Sequence, residues 1–147
     1  MKNPLKIFCD GGARGNPGEA AAAFVVERDG KIIYFQAAYL GKTTNNAAEY
    51  RAVVLALKWL IQNRSFGCPR LPDGQEVPDI TFFLDSELVT KQINGAYRVK
   101  NKNLKNIFAE VNTLINRIPN KIIFKNIPRA KNKKADFLVN QKLDSRL

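Results

Sequence analysis

Two residues, Asp29 and Gly30, separate the runs AAAFVVER (21–28) and KIIYFQAAYL (31–40). Both runs are rich in β-branched, aromatic and apolar residues. Asp-Gly between two such runs is a strong hairpin signal, because the favoured two-residue turn needs positive φ at both central positions. Antiparallel pairing is therefore expected near the start of the chain. A third apolar segment, LKIFCD (5–10), precedes it, and DGGARGNPGEA, with its four glycines and Pro17, has to turn between them. An antiparallel meander of three strands follows.

Beyond the hairpin the period changes. KTTNNAAEYRAVVLALKWL (42–60) reads as an amphipathic helix running to about Asn63, with Thr44 or Asn45 as its cap. SFGCPRLPDGQEVPD (65–79) reads as a surface loop. ITFFLD (80–85) is a buried strand, SELVTKQING (86–95) a short helix stopped by Gly95, and NLKNIFAEVNTLINRI (103–118) a helix with apolar residues at helical spacing. KIIFKNI (121–127) is a strand and KNKKADFLVNQKLDSRL (131–147) a closing helix. The order β-β-β-α-β-α-α-β-α predicts an α/β fold. Strands joined through helices pair in parallel by right-handed crossovers, which gives a mixed sheet with helices on both faces. The length, 147 residues, suits one domain with a sizeable core.

Composition narrows the chemistry. The chain carries 24 Lys and Arg against 13 Asp and Glu, a formal charge of +11, which directs attention to phosphates or an anionic surface. Histidine is absent. No side chain with an unperturbed pKa near 7 is therefore available, and Ser-His and Cys-His catalysis are excluded. Two cysteines make no disulfide framework, and a structural Cys/His zinc site is excluded as well. Cys9 reads as a packing residue and Cys68 as part of the loop. The apolar runs are too short to cross a bilayer and MKNPLKIFCDGG has no signal-peptide pattern, so a cytoplasmic location with no membrane partner is expected.

Four acids stand out. Asp10 and Asp85 each close an apolar strand, and ligands of α/β sheets gather at the carboxyl ends of strands. Glu49 shares a helical face with Val53, Ala56 and Leu60, a face that should pack on a core. Asp136 lies early in the closing helix, beside Ala135 and Val139. Taken singly each has an ordinary reading: a strand-end Asp forms turns or caps helices, and an inward Glu pairs with a lysine. Taken together they would meet at one edge of the sheet, where mutual repulsion raises every pKa unless a counter-charge is present. Hard divalent cations supply that charge through oxygen ligands. A basic chain with such a cluster points to metal-assisted cleavage of a phosphodiester, two metals clamping the attacking and leaving oxygens.

FCDGGARGNPGEAAAAFVV, TTNNAAEYRAVVLALKWL, FLDSELVTKQI and IPRAKNKKADFLVNQKL resemble, in order and spacing, the four signature segments of type 1 ribonuclease H, from about residue 5 to 144. The resemblance implies a single RNase H catalytic domain over 1–147, acting as a monomer. It implies an RNase H-like fold with a five-stranded sheet of order 3-2-1-4-5, strand 2 antiparallel to the others. It implies endonucleolytic cleavage of the RNA strand of an RNA–DNA hybrid, leaving 5′-phosphate and 3′-hydroxyl ends, with two Mg²⁺ per site and Mn²⁺ as substitute. By position, Asp10, Glu49, Asp85 and Asp136 take the places of the four catalytic, metal-binding carboxylates. Asp10 would bridge both metals and Asp136 would help hold the one that activates water. Glu49 and Asp85 would hold the one facing the leaving 3′ oxygen, and Glu49 would also contact a ribose 2′-hydroxyl.

The resemblance extends to substrate contacts. Asn16 and Asn45 match minor-groove asparagines, whose amides offer a donor and an acceptor to 2′-hydroxyls and base edges. Capping is the ordinary alternative for each. Lys42, Thr44 and Asn101 fall where the family forms a pocket for a DNA-strand phosphate, with Lys42 standing where some relatives have Arg. Two departures matter. Many relatives carry a His in the loop before the last acid, whereas IPRAKNKKAD has Arg129, Lys131, Lys133 and Lys134 and resembles a subgroup with Arg there. Arg129 or Lys131 can steady the scissile phosphate but cannot shuttle protons near neutral pH. Many relatives also insert an extra basic helix after the third acid, for which GAYRVKNKNLKN (95–106) has no room. Grip would then fall to Arg98, Lys100, Lys102 and Lys105, with a steep salt dependence. No separate hybrid-binding module is expected ahead of residue 5. Two alternatives stand: action on double-stranded RNA as well, and a non-catalytic hybrid-binding domain. A full set of four mutually repelling acids argues against the second.

Overall fold

The computed structural model describes residues 4–63 and 79–145, so the expected loop at 65–79, with Cys68, lies outside the described residues apart from Asp79. Five strands form one sheet: β1 (Leu5–Arg14), β2 (Gly18–Arg28), β3 (Lys31–Thr43), β4 (Ile80–Leu84) and β5 (Ile122–Asn126). Their order is β3-β2-β1-β4-β5, and β2 runs antiparallel to both of its neighbours, while β4 is parallel to β1 and to β5. The β2–β3 turn has φ of 53° at Asp29 and 77° at Gly30, as the Asp-Gly pair requires.

Among the described residues four helices cover the sheet: α1 (Asn45–Gln62), α2 (Glu87–Ile93), α3 (Lys102–Asn116) and α4 (Lys133–Asp144). A 3₁₀ turn, Arg129–Lys131, leads into α4. Alternation along β2 assigns the two faces. Ala22, Phe24 and Val26 join the core beneath α1 and α3, together with Leu5, Ile7 and Cys9 of β1. Ala21 and Ala23 meet Val139 and Leu143 of α4 on the opposite face. The helical face bearing Glu49 is buried as its spacing predicts: Val53, Ala56 and Leu60 are at most 2% exposed. Burial of each Val or Leu of this kind stabilises the fold by about 1.5–3 kcal/mol. Helix α3 buries Leu104, Ile107, Val111 and Leu114, and Glu110 on its flank accepts Arg51 of α1 at 3.0 Å.

One expectation needs correction. Asp10 does not close its strand, because β1 continues through Gly11 and Gly12 to Arg14, paired with β2 as far as Glu19. The turn occupies only Gly15, Asn16 and Pro17. Parallel pairing with β4 nevertheless stops at Cys9↔Leu84, so Asp10 lies one residue beyond the carboxyl end of the parallel pair. The glycines serve close packing as well as turning. A Cβ at Gly11 would lie 2.2 Å from the carbonyl carbon and oxygen of Ala48, so a bare Cα lets the first turn of α1 rest on the β1 backbone. Among the described residues no helix is long and apolar enough to cross a membrane.

Candidate active site

Three elements converge where β4 ends. β1 brings Asp10, α1 brings Glu49 across the contact that Gly11 permits, and Asp85 follows β4 directly. One carboxylate oxygen from each of the three lies within 4.8 Å of the other two. Asp136, in the first turn of α4, lines the same open cavity of about 470 Å³ but stands outside that close set. Gly11, Asn45, Ser86, Asn140 and two cations, Arg14 and Arg129, complete the part of the wall that bears on chemistry.

Burial and mutual repulsion dominate the electrostatics of the cluster. Asp10 and Glu49 are each only 6% exposed. Burial pushes the Asp10 carboxyl up to about 7, and the Asp85 and Asp136 charges add to it. Glu49 is raised well above its ordinary value, by burial first and then by Asp10 and Asp85. The Gly11 N–H donates to Glu49 Oε1 at 3.4 Å, whereas Oε2 is buried without a donor. Its neighbour Asp10 is itself an acceptor, so the pair can hydrogen-bond only when one carboxyl is protonated. A divalent cation fits the same place, since an all-oxygen, anionic donor set with an orphaned lone pair is what Mg²⁺ or Mn²⁺ takes.

The chain matches the RNase H family model over residues 2–144. It belongs to the RNase H family. Ribonuclease HI of Halobacterium salinarum is 36% identical over 141 residues, 95% of this chain and 64% of the relative. A bifunctional protein of Mycobacterium tuberculosis is 30% identical over 95% of this chain and 35% of its own length. The chain thus spans under two thirds of these relatives. LC11-RNase H1, isolated from compost by a metagenomic approach and crystallised in complex with RNA/DNA hybrid, is 40% identical with a TM-score of 0.81, covering 93% of this chain and 94% of that one.

Set in an RNase H frame, the other expected positions divide. Asn45 lines the cavity. Its Oδ1 accepts the Ala13 N–H at 2.8 Å, and its own N–H donates to Asn16 Oδ1 at 3.0 Å. Both asparagines thus use their oxygens inside the frame, and both residues are exposed. Thr44, not Asn45, caps α1, accepting from the Ala47 N–H at 3.2 Å. Asn101 caps α3, accepting from Asn103 and Leu104. Lys42 is exposed on β3 opposite Glu19. Arg129 lines the cavity; Lys131, exposed in the same 3₁₀ turn, does not. Arg98, Lys100, Lys102 and Lys105 are exposed and stand outside the cavity wall.

Sequence reading missed three residues of the site. Arg14 lines the cavity and pairs with Asp144 at 2.6 Å. Asn140 donates to the Asp136 carboxylate at 3.4 Å, and Asn132 to Asp85 Oδ2 at 3.1 Å. The spacing Asp136-x-x-x-Asn140 is a visible helical neighbour pair. Nothing local marks Asn132, whose partners lie 47 and 123 residues away.

Proposed function

We propose that this chain hydrolyses the RNA strand of RNA–DNA hybrids with divalent metal ions, as an endonuclease leaving 5′-phosphate and 3′-hydroxyl ends. The observation that carries the reading is the set of three carboxylates within 4.8 Å, one of them with a buried oxygen that no donor reaches. Family membership and a relative crystallised on a hybrid support it. Asp10, Glu49 and Asp85 are the proposed metal ligands, with Asp136 joining from α4. Mg²⁺, or Mn²⁺ in its place, would supply neutralising charge and Lewis acidity at the scissile phosphate when bound.

The remaining roles belong to the chain itself. Asn16 and Asn45 present amide donors to the 2′-hydroxyls and base edges of the minor groove, where RNA differs from DNA. Arg129 offers a permanently charged guanidinium to the phosphate from within the cavity. The exposed Arg98, Lys100, Lys102 and Lys105 supply backbone contacts that weaken steeply with salt. We read the chain as one catalytic domain acting as a monomer in the cytoplasm.

A single assay decides the reading: end-labelled hybrid, RNA duplex and DNA duplex, each with Mg²⁺ or Mn²⁺. Cleavage of the hybrid's RNA strand is expected, and cutting of the RNA duplex as well would widen the substrate class. Cleavage of DNA, or no cleavage of any substrate with either metal, would sink the proposal. With no histidine in the chain, the rate should keep rising into alkaline pH; a bell centred near neutrality would count against it.

A further inference from the structure

Asn132 is the N-terminal cap residue of α4, yet its side chain makes no capping hydrogen bond. An asparagine in that place ordinarily accepts from the helix through Oδ1, which stabilises the protein. Here Oδ1 is buried without a partner. Both hydrogens of Nδ2 are spent elsewhere, on the Cys9 carbonyl at 2.7 Å and on Asp85 Oδ2 at 3.1 Å. The residue is 1% exposed, and its own carbonyl accepts the Asp136 N–H at 3.1 Å.

The side chain has thus given up its local task, and one residue touches three acid-bearing segments. It bonds to the peptide preceding Asp10, to the Asp85 carboxylate and to the backbone of Asp136. We infer that Asn132 is a positioning residue that sets the orientation of the Asp85 carboxylate for metal binding, an inference resting on the metal-dependent reading above. The bond to Oδ2 fixes the plane of the Asp85 carboxylate at the cavity wall. The choice of a neutral amide follows from the surroundings. A lysine or arginine would form an ion pair with Asp85 and compete with the metal for its charge. An amide donates in a fixed plane and adds no charge. Partners that orient metal-ligating carboxylates in this way typically change metal affinity by about 10–100-fold when removed.

The test is Mn²⁺ binding by calorimetry and electron paramagnetic resonance, without substrate, on the wild type, Asn132→Ala, Asp85→Ala and the double variant. The single Asn132 change is expected to weaken Mn²⁺ binding roughly 10–100-fold and to lower kcat, with KM for hybrid within about twofold. In the Asp85→Ala background it should weaken Mn²⁺ binding no further, because the interaction it acts through is gone. Unchanged binding in Asn132→Ala, or an equal further loss in the double variant, would overturn the inference. Should Asn132→Ala fail to fold, wild-type ¹⁵N NMR decides. The Asn132 side-chain amide should exchange slowly and shift on Mg²⁺ titration in step with Asp85, and an amide that exchanges freely or stays fixed in shift refutes the role. Wild-type hybrid cleavage, run on the same protein, is read separately. Coupling without cleavage would leave this inference standing and remove the proposed activity; cleavage without coupling would do the reverse.

Discussion

The four acids form two unlike pairs. Asp10 and Glu49 are almost wholly buried, and Glu49 receives a long N–H contact from Gly11. Asp85 and Asp136 are half-buried, and each receives an asparagine amide, from Asn132 and Asn140 respectively. The first pair therefore requires a mobile charge, a proton or a cation, to be tolerated. The second is stabilised by fixed dipoles and by water. Metal binding at the first pair is therefore expected to release a proton.

The largest expected effect comes from removing a member of the buried pair. Asp10→Asn should cut hybrid cleavage by ~10³-fold or more, since several kcal/mol of charge stabilisation are lost at about tenfold per 1.4 kcal/mol. The same change should raise the melting temperature of the metal-free protein, because it removes a buried charge that repels Glu49. A fall in that melting temperature would show that the pair is not strained. Next is Gly11→Ala, whose Cβ would meet the Ala48 backbone at 2.2 Å. It should destabilise by ~2 kcal/mol or more in thermal melts and reduce activity by moving Glu49.

The pH response discriminates the pairs without mutation. Asp10 is raised from 3.8 to about 7 in the folded protein. Between those values the folded state binds more protons than the unfolded state, so metal-free stability should fall as pH rises across that window and return on acidification. Saturating Mg²⁺ should flatten the slope across that window, and Asp10→Asn should remove most of it. Smaller is Asn140→Ala, whose solvent-exposed bond should be worth about two- to fivefold in kcat. Smallest is the periphery. Asn101→Ala should cost ~1 kcal/mol of stability as a lost cap, and Lys42→Ala less than about twofold in low-salt cleavage. A tenfold effect at Lys42 would show a phosphate contact that its exposed position on β3 does not suggest.

How much of this was legible depended on whether a residue's role is local. The Asp29-Gly30 turn and the buried stripe of α1 could be read from neighbours in sequence, and so could the candidate acids. The continuation of β1 through Gly11 and Gly12 could not, because glycines that signal a turn also permit close packing, and only the position of α1 decides between them. Thr44 read equally as a cap or a substrate contact and Asn101 only as a contact, and in the structure both side-chain oxygens accept capping bonds. Asn132 was invisible because its meaning lies in Cys9 and Asp85, brought to it only by the finished sheet.

β5 is complete before α4, and α4 is held mainly by the small alanine patch of Ala21 and Ala23 with Val139 and Leu143. Asp10, Glu49 and Asp85 therefore lie on segments made before Asp136, with Asn132 just ahead of the fourth acid. A cut between β5 and α4 would leave Asp10, Glu49 and Asp85 on one fragment and Asn132, Asp136 and Asn140 on the other.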